Sequence, residues 1–85
     1  GNDAKIKQAG EMNATLQGAY FMLAARAVGL DCGPMGGFNN TTLDEDFFPD
    51  GKTKSIFICA LGQGDESKIY PRGPRLSFNE ACEII

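Results

Sequence analysis

One long helical pattern, over residues 3–28, places the strongest constraint on what this 85-residue chain can fold into. Its apolar side chains recur at steps of three and four, so they lie on one face of a helix. In the second half apolar residues cover nearly the whole circumference, interrupted by Arg26, which predicts burial on more than one side. The helix therefore needs a partner helix or a sheet. The apolar face comprises Met12, Leu16, Ala19, Tyr20, Leu23 and Ala27.

Composition excludes several classes of protein. Apolar residues make up 42% of the chain and charged residues 22%, which is typical of a globular domain. A net charge of −3 argues against a nucleic-acid surface. No segment approaches the ~20 consecutive apolar residues of a membrane span, and the polar start is unlike a signal peptide. We therefore expect a cytoplasmic protein that binds neither nucleic acid nor membrane.

The chemistry-bearing residues narrow the function further. The chain has no histidine, which excludes Ser-His-Asp triads, Cys-His pairs and imidazole zinc sites. Its three cysteines, Cys32, Cys59 and Cys82, are widely spaced and odd in number, so neither a metal site nor a disulfide framework is predicted. We interpret them as buried thiols in a reducing compartment.

The length itself limits stability. Just below this size one core rarely supplies more than about 3–5 kcal/mol without disulfides, metal or association. The chain therefore either associates with copies of itself or is a piece of a larger protein.

A glycine-rich loop follows the helix. Gly29 stands where a helix-ending glycine is common. Residues 30–38 then hold three glycines and a proline in five positions, which predicts a short extended piece opening into a tight loop. Gly36 and Gly37 would let the backbone approach a ligand closely, although such a loop is more often only a turn.

The remaining patterns predict an α+β fold. Thr41 or Thr42 can cap a short helix over residues 43–48, with acidic residues in its first turn. Residues 54–61 are apolar on both faces and predict a central strand whose neighbours come from another chain or a missing segment. An irregular tail follows, and Ser77 begins a capping box that opens a short helix to the C-terminus.

Two arginines in the tail form a second candidate site. Arg72 and Arg75 are three residues apart and held by prolines, so their guanidinium groups could fork onto a phosphate. They could equally be solvated cations that offset an acidic protein. No side chain stands out as catalytic or as a metal ligand.

Several motifs, in order and without large gaps, resemble the C-terminal part of the nitroreductase family of flavin enzymes. The branch that they resemble most is malonic semialdehyde reductase (3-hydroxypropanoate dehydrogenase). The motifs lie at residues 16–20, 24–31, 33–38, 47–48, 61–65 and 74–78.

The resemblance implies a fold, a cofactor and a site. Residues 1–85 would be the C-terminal portion of one α+β domain whose N-terminal part is absent, in a homodimer with FMN at the subunit interface. The loop of Pro34, Met35, Gly36 and Gly37 would lie against the flavin ring, and Arg72 and Arg75 would hold the FMN phosphate. Many nitroreductases carry an acidic residue where Gly36 stands, so this chain lacks that carboxylate.

The implied activity is an FMN-dependent NAD(P)H oxidoreductase. Hydride would pass from NADH or NADPH through the flavin to a small aldehyde, nitro or quinone acceptor, and no side chain of this segment would act as a catalytic acid. The alternative is a non-catalytic, self-associating fragment that does not bind flavin on its own.

Overall fold

The computed structural model describes residues 2–85 and contains both helices and strands, as the sequence predicts. A long helix comes first, and two short strands are separated by a second helix. The elements are α1 (Asp3–Ala27), β1 (Asp31–Met35), α2 (Asn40–Phe47), β2 (Ile58–Gly62), a 3₁₀ turn (Glu66–Lys68) and α3 (Phe78–Ala81).

Helix α1 has well-formed ends. The Asn2 side chain accepts a hydrogen bond from the Lys5 amide at 3.1 Å and caps the first turn. After Ala27 the chain reverses at Gly29, whose φ of +91° favours glycine. The Gly29 amide donates to the carbonyl of Arg26 at 3.0 Å. The predicted helix and its terminating glycine are both confirmed.

The two strands pair with each other in an antiparallel sheet, running in register from Asp31 opposite Gly62 to Met35 opposite Ile58. The sequence predicts that the strands on both edges of residues 54–61 come from outside this chain. That prediction is wrong for one edge, where β1 pairs with β2. The strand is also shorter than predicted, because its ladder begins at Ile58. Pro34 lies within β1, and an edge strand tolerates a residue that has no N–H to donate.

Helix α1 contacts β1 and the phenylalanine that precedes β2. The Phe57 ring sits so close to Gly18 that a Cβ there would lie 2.6 Å from its Cζ atom. The Cys32 thiol donates to the carbonyl oxygen of Met22 at 3.6 Å. Cys32 and Cys59 are half-buried and Cys82 is exposed, so the prediction of buried thiols is wrong.

Helix α2 holds down the segment that leads into β2. The buried carboxylate of Asp44 accepts from the Ser55 backbone amide at 2.9 Å, and the Asn40 side chain donates through Nδ2 to the Ser55 carbonyl at 3.0 Å. The Ser55 hydroxyl bond lowers the pKa of Asp44, burial opposes this, and the Ser55 amide reinforces it. The helix is capped by Asn39 rather than by a threonine, because the Asn39 side chain accepts from the Thr42 amide.

The tail is irregular, as predicted, but its helix is short. Helix α3 ends at Ala81 and does not reach the C-terminus. Ser77 occupies the predicted cap position, yet its side chain makes no capping hydrogen bond.

Little apolar surface is buried within the described residues. Ala25 is the one buried apolar residue among them, and Tyr20 on α1 is 73% exposed. The radius of gyration is 16.8 Å, whereas a compact domain of this length would have about 12 Å. The other described residues thus do not bury α1 as the sequence predicts.

Candidate functional site

The glycine loop leaves the end of the two-stranded sheet. Pro34 and Met35 belong to β1, so the loop begins two residues later than the sequence predicts. The Phe38 amide donates to the Gly36 carbonyl at 3.0 Å, which makes a tight turn. Pro34, Met35, Gly36 and Gly37 are all exposed.

Two backbone donors of this loop have no acceptor among the described residues. Among residues 2–85 the amides of Gly36 and Gly37 donate no hydrogen bond. Space is also open around them, since a Cβ at either position would meet no atom within 4 Å. Such amides can receive an anionic or electron-rich atom of a ligand.

The two candidate arginines are not brought to the loop. The Arg75 guanidinium donates to the carbonyls of Gly73 at 3.1 Å and Pro74 at 3.3 Å, so it is engaged by its own turn. Arg72 is exposed in the irregular tail. No hydrogen bond or ion pair of the described residues joins either arginine to the 34–37 loop.

The opposite end of the sheet carries a cluster that sequence reasoning missed. Asp31 accepts from the Gly64 amide at 2.7 Å through Oδ2 and forms an ion pair with Arg26 through Oδ1. The Gln63 side chain donates to the Gly29 carbonyl at 3.1 Å. These contacts tie the end of α1, the start of β1 and the turn after β2 together.

Hydrogen bonding keeps this carboxylate charged. The Gly64 amide lowers the pKa of Asp31, partial burial opposes this, and the Arg26 charge adds to the lowering. Glycines and polar side chains occur in both segments of this cluster, residues 29–31 and 62–65. Their positions in the sequence do not show that the two segments are in contact. An open concavity of about 400 Å³ lies beside them, lined in part by Gly33, Ala60 and Ile69.

No helix of residues 2–85 has the length and apolarity needed to cross a membrane.

The chain is similar over its whole length to curated bacterial proteins. It is 56% identical to one from Ralstonia nicotianae, 54% to one from Polynucleobacter asymbioticus and 52% to one from Rhodopseudomonas palustris. All three carry the provisional name NADH dehydrogenase/NAD(P)H nitroreductase.

These alignments cover the whole of this chain but only part of each relative. The chain spans 43–44% of their length, a little less than half. No family model matches the chain. No solved structure matches it either. The chain is thus similar to about half of a bacterial NADH dehydrogenase/NAD(P)H nitroreductase, by the name that those relatives carry.

Proposed function

We propose that this chain is part of an NAD(P)H-dependent FMN oxidoreductase of the nitroreductase family. The observation that carries the proposal is 56% identity over all 85 residues to a relative whose name states NADH dehydrogenase and NAD(P)H nitroreductase activity. The same name on the other relatives favours the oxidoreductase over the non-catalytic fragment. In this proposal residues 1–85 form the C-terminal portion of the domain, and NADH or NADPH is the reductant.

The 34–37 loop fits one part of the proposed cofactor. Gly36 and Gly37 offer two unengaged amides with open space in front of them. Amides in this arrangement would stabilise negative charge on a reduced flavin ring. Bound FMN would supply the hydride-transfer chemistry, and the loop would hold and orient its ring.

Arg72 and Arg75 have side chains that are suited to binding the FMN phosphate. Arg72 and Arg75 present forked donors in an exposed segment, and Arg75 would exchange its two carbonyl partners for phosphate oxygens. The shared phosphate would draw the tail toward the rest of the site. In a homodimer with FMN at the interface, the loop and the arginines need not belong to the same half of one site.

Three classes of electron acceptor are compatible with this proposal. A nitro compound agrees with the name of the relatives, and an aldehyde is the acceptor that the malonic semialdehyde reductase branch implies. A quinone is the third class. Comparing the rates of NADH and NADPH oxidation with each acceptor would choose among them.

The first test measures flavin retention. The chain is mixed with FMN and desalted, and its visible absorption spectrum is recorded. We expect a retained flavin band and flavin-dependent oxidation of NADH or NADPH. A colourless chain, together with a full-length Ralstonia nicotianae relative that also purifies colourless, would contradict the proposal.

Variants locate the flavin on the chain. Arg75→Ala should weaken FMN binding by about 1.5–3 kcal/mol, the value of a hydrogen bond to a charged group. Lys68→Ala removes a cation from the same exposed region and serves as its control.

Gly37→Val should reduce flavin content further than Arg75→Ala does, because a branched side chain would fill the approach to the loop amides. Equal flavin content in Gly37→Val and the parent chain would remove the loop from the site.

A further inference from the structure

Two cysteines lie on the same face of the sheet. Cys32 is opposite Leu61, and Cys59 is opposite Pro34. Directly opposed residues share a face, and side chains along a strand alternate with a period of two. Cys32 and Cys59 are therefore diagonal neighbours across the two strands.

Each thiol contacts a backbone carbonyl, and Cys32 thereby lies against α1. The Cys32 thiol donates to the Met22 carbonyl at 3.6 Å, and the Cys59 thiol contacts the Ala60 carbonyl at 3.6 Å. Both are half-buried, whereas Cys82 is exposed in the tail. Burial raises the pKa of Cys32, and the adjacent Cys59 thiol raises it further, so the two groups interact across the sheet.

We propose that Cys32 and Cys59 form a redox-active dithiol, which low-molecular-weight disulfides of the glutathione class oxidise to a cross-strand disulfide. This site goes beyond the proposed oxidoreductase function and does not require flavin to be bound.

The reaction consists of two thiol–disulfide exchanges. The Cys59 thiolate attacks one sulfur of the small disulfide, the S–S bond breaks, and one small thiol leaves with a proton from solvent. The Cys32 thiolate then attacks the Cys59 sulfur, forms the Cys32–Cys59 bond and releases the second small thiol. The two cysteines lose two electrons and two protons, and the small disulfide gains both. Cys32 acts as the resolving thiol because its raised pKa leaves less of it ionised.

The diagonal arrangement makes this bond reversible. Diagonal residues of an antiparallel pair lie about 7–8 Å apart, above the usual disulfide range of about 4.4–6.8 Å between Cα atoms. Closing the bond therefore requires a small adjustment of β1 against β2, and a strained disulfide is readily reduced. Because the closed ring contains residues 33–58, oxidation would fasten the base of the 34–37 loop to β2.

The test uses the full chain with Cys82→Ser, which removes the exposed thiol. The folded chain and the urea-unfolded chain are each treated with oxidised glutathione, and mass spectrometry follows the intact mass and the non-reduced peptides. We expect the folded chain to lose two hydrogens, to keep no glutathione and to yield joined Cys32 and Cys59 peptides. Its bond should close about tenfold or more faster than in urea, because the fold holds the thiols together.

Single variants provide the control. Adding Cys32→Ser to the Cys82→Ser chain should leave a stable glutathione adduct on Cys59, because the resolving thiol is gone. Persistent adducts on both cysteines of the folded Cys82→Ser chain would overturn the proposal. Disulfide-linked dimers in place of the internal bond, or equal closure rates in urea and in buffer, would overturn it as well.

Discussion

At the scale of single residues, Gly18 is the glycine at which an added Cβ would make the closest contact among the described residues. In Gly18→Ala the new Cβ would lie 2.6 Å from Phe57 Cζ, so the ring must leave its seat on α1. Forcing extra atoms into such a contact costs about 1–3 kcal/mol, against a gain of about 0.5–1 kcal/mol for alanine over glycine in a helix, so we expect a net fall in the free energy of unfolding. Urea denaturation followed by circular dichroism measures it.

Gly10 on the same helix is the matched control. A Cβ at Gly10 would meet no atom within 4 Å, so Gly10→Ala should raise the free energy of unfolding by about 0.5–1 kcal/mol. Opposite signs for the two glycines would establish the Phe57 contact. If both variants were stabilised, Phe57 would not rest on Gly18 in solution.

At the scale of elements, the anchoring of α2 predicts a pH dependence. Asp44→Ala removes the acceptor of the Ser55 amide and should lower the melting temperature. Since the pKa of Asp44 is lowered in the folded chain, its contribution to stability is fully present above the ordinary carboxyl pKa of 3.8. It is lost as the pH falls through the lower folded-state pKa, because the unfolded chain then binds more protons. Melting curves across this range should show the difference between variant and parent shrinking in acid.

Asp46 provides the comparison for this effect. It lies exposed on the same helix, and Asp46→Ala removes the same charge without removing the Ser55 contact. Its melting temperature should follow that of the parent chain at every pH. If Asp44→Ala and Asp46→Ala lower the melting temperature equally, the effect comes from net charge and not from the contacts of the Asp44 carboxylate.

The elements that sequence reasoning predicts well are those whose signals are local. Helix α1 could be predicted because its apolar spacing and Gly29 lie in one continuous segment. Strand β1 could be predicted only as a short extended piece, because its pairing with β2 joins segments that are distant in sequence. The cap of α2 was missed because Asn39 and the following threonines are all good capping residues.

In the candidate site too, some features could be predicted from the sequence and others could not. The open amides of Gly36 and Gly37 could be anticipated, because glycines in a row leave the backbone uncovered. The partners of Arg75 could not, since they depend on the conformation of an irregular tail. The Asp31 contacts to Gly64 and Arg26 join residues that no motif places side by side.

At the scale of the whole molecule, the uncovered face of α1 predicts association. Leu16, Tyr20 and Leu23 are all more than half exposed, and covering them removes apolar surface from water. We expect the chain to sediment as a dimer or larger species as its concentration rises. Leu23→Lys should shift it toward the monomer by placing a charge on that face, with helix content unchanged by circular dichroism.

Gln17→Lys places the same charge on an exposed polar position of α1 outside this face and should leave the association unchanged. A parent chain that remains monomeric at every concentration would contradict this use of the α1 face. If the chain still associates after Leu23→Lys, the contact between copies uses another surface.

The long connection between the paired strands also bears on how fast the sheet can form. Residues 36–57 separate β1 from β2, so the ladder cannot grow outward from a tight turn, and closing this segment costs more chain entropy. The bonds from Asn40 and Asp44 to Ser55 close part of the connection over shorter separations of 15 and 11 residues. With these bonds formed, the connection that remains to be closed is shorter. We therefore expect the closing of this connection to set the rate at which the sheet assembles.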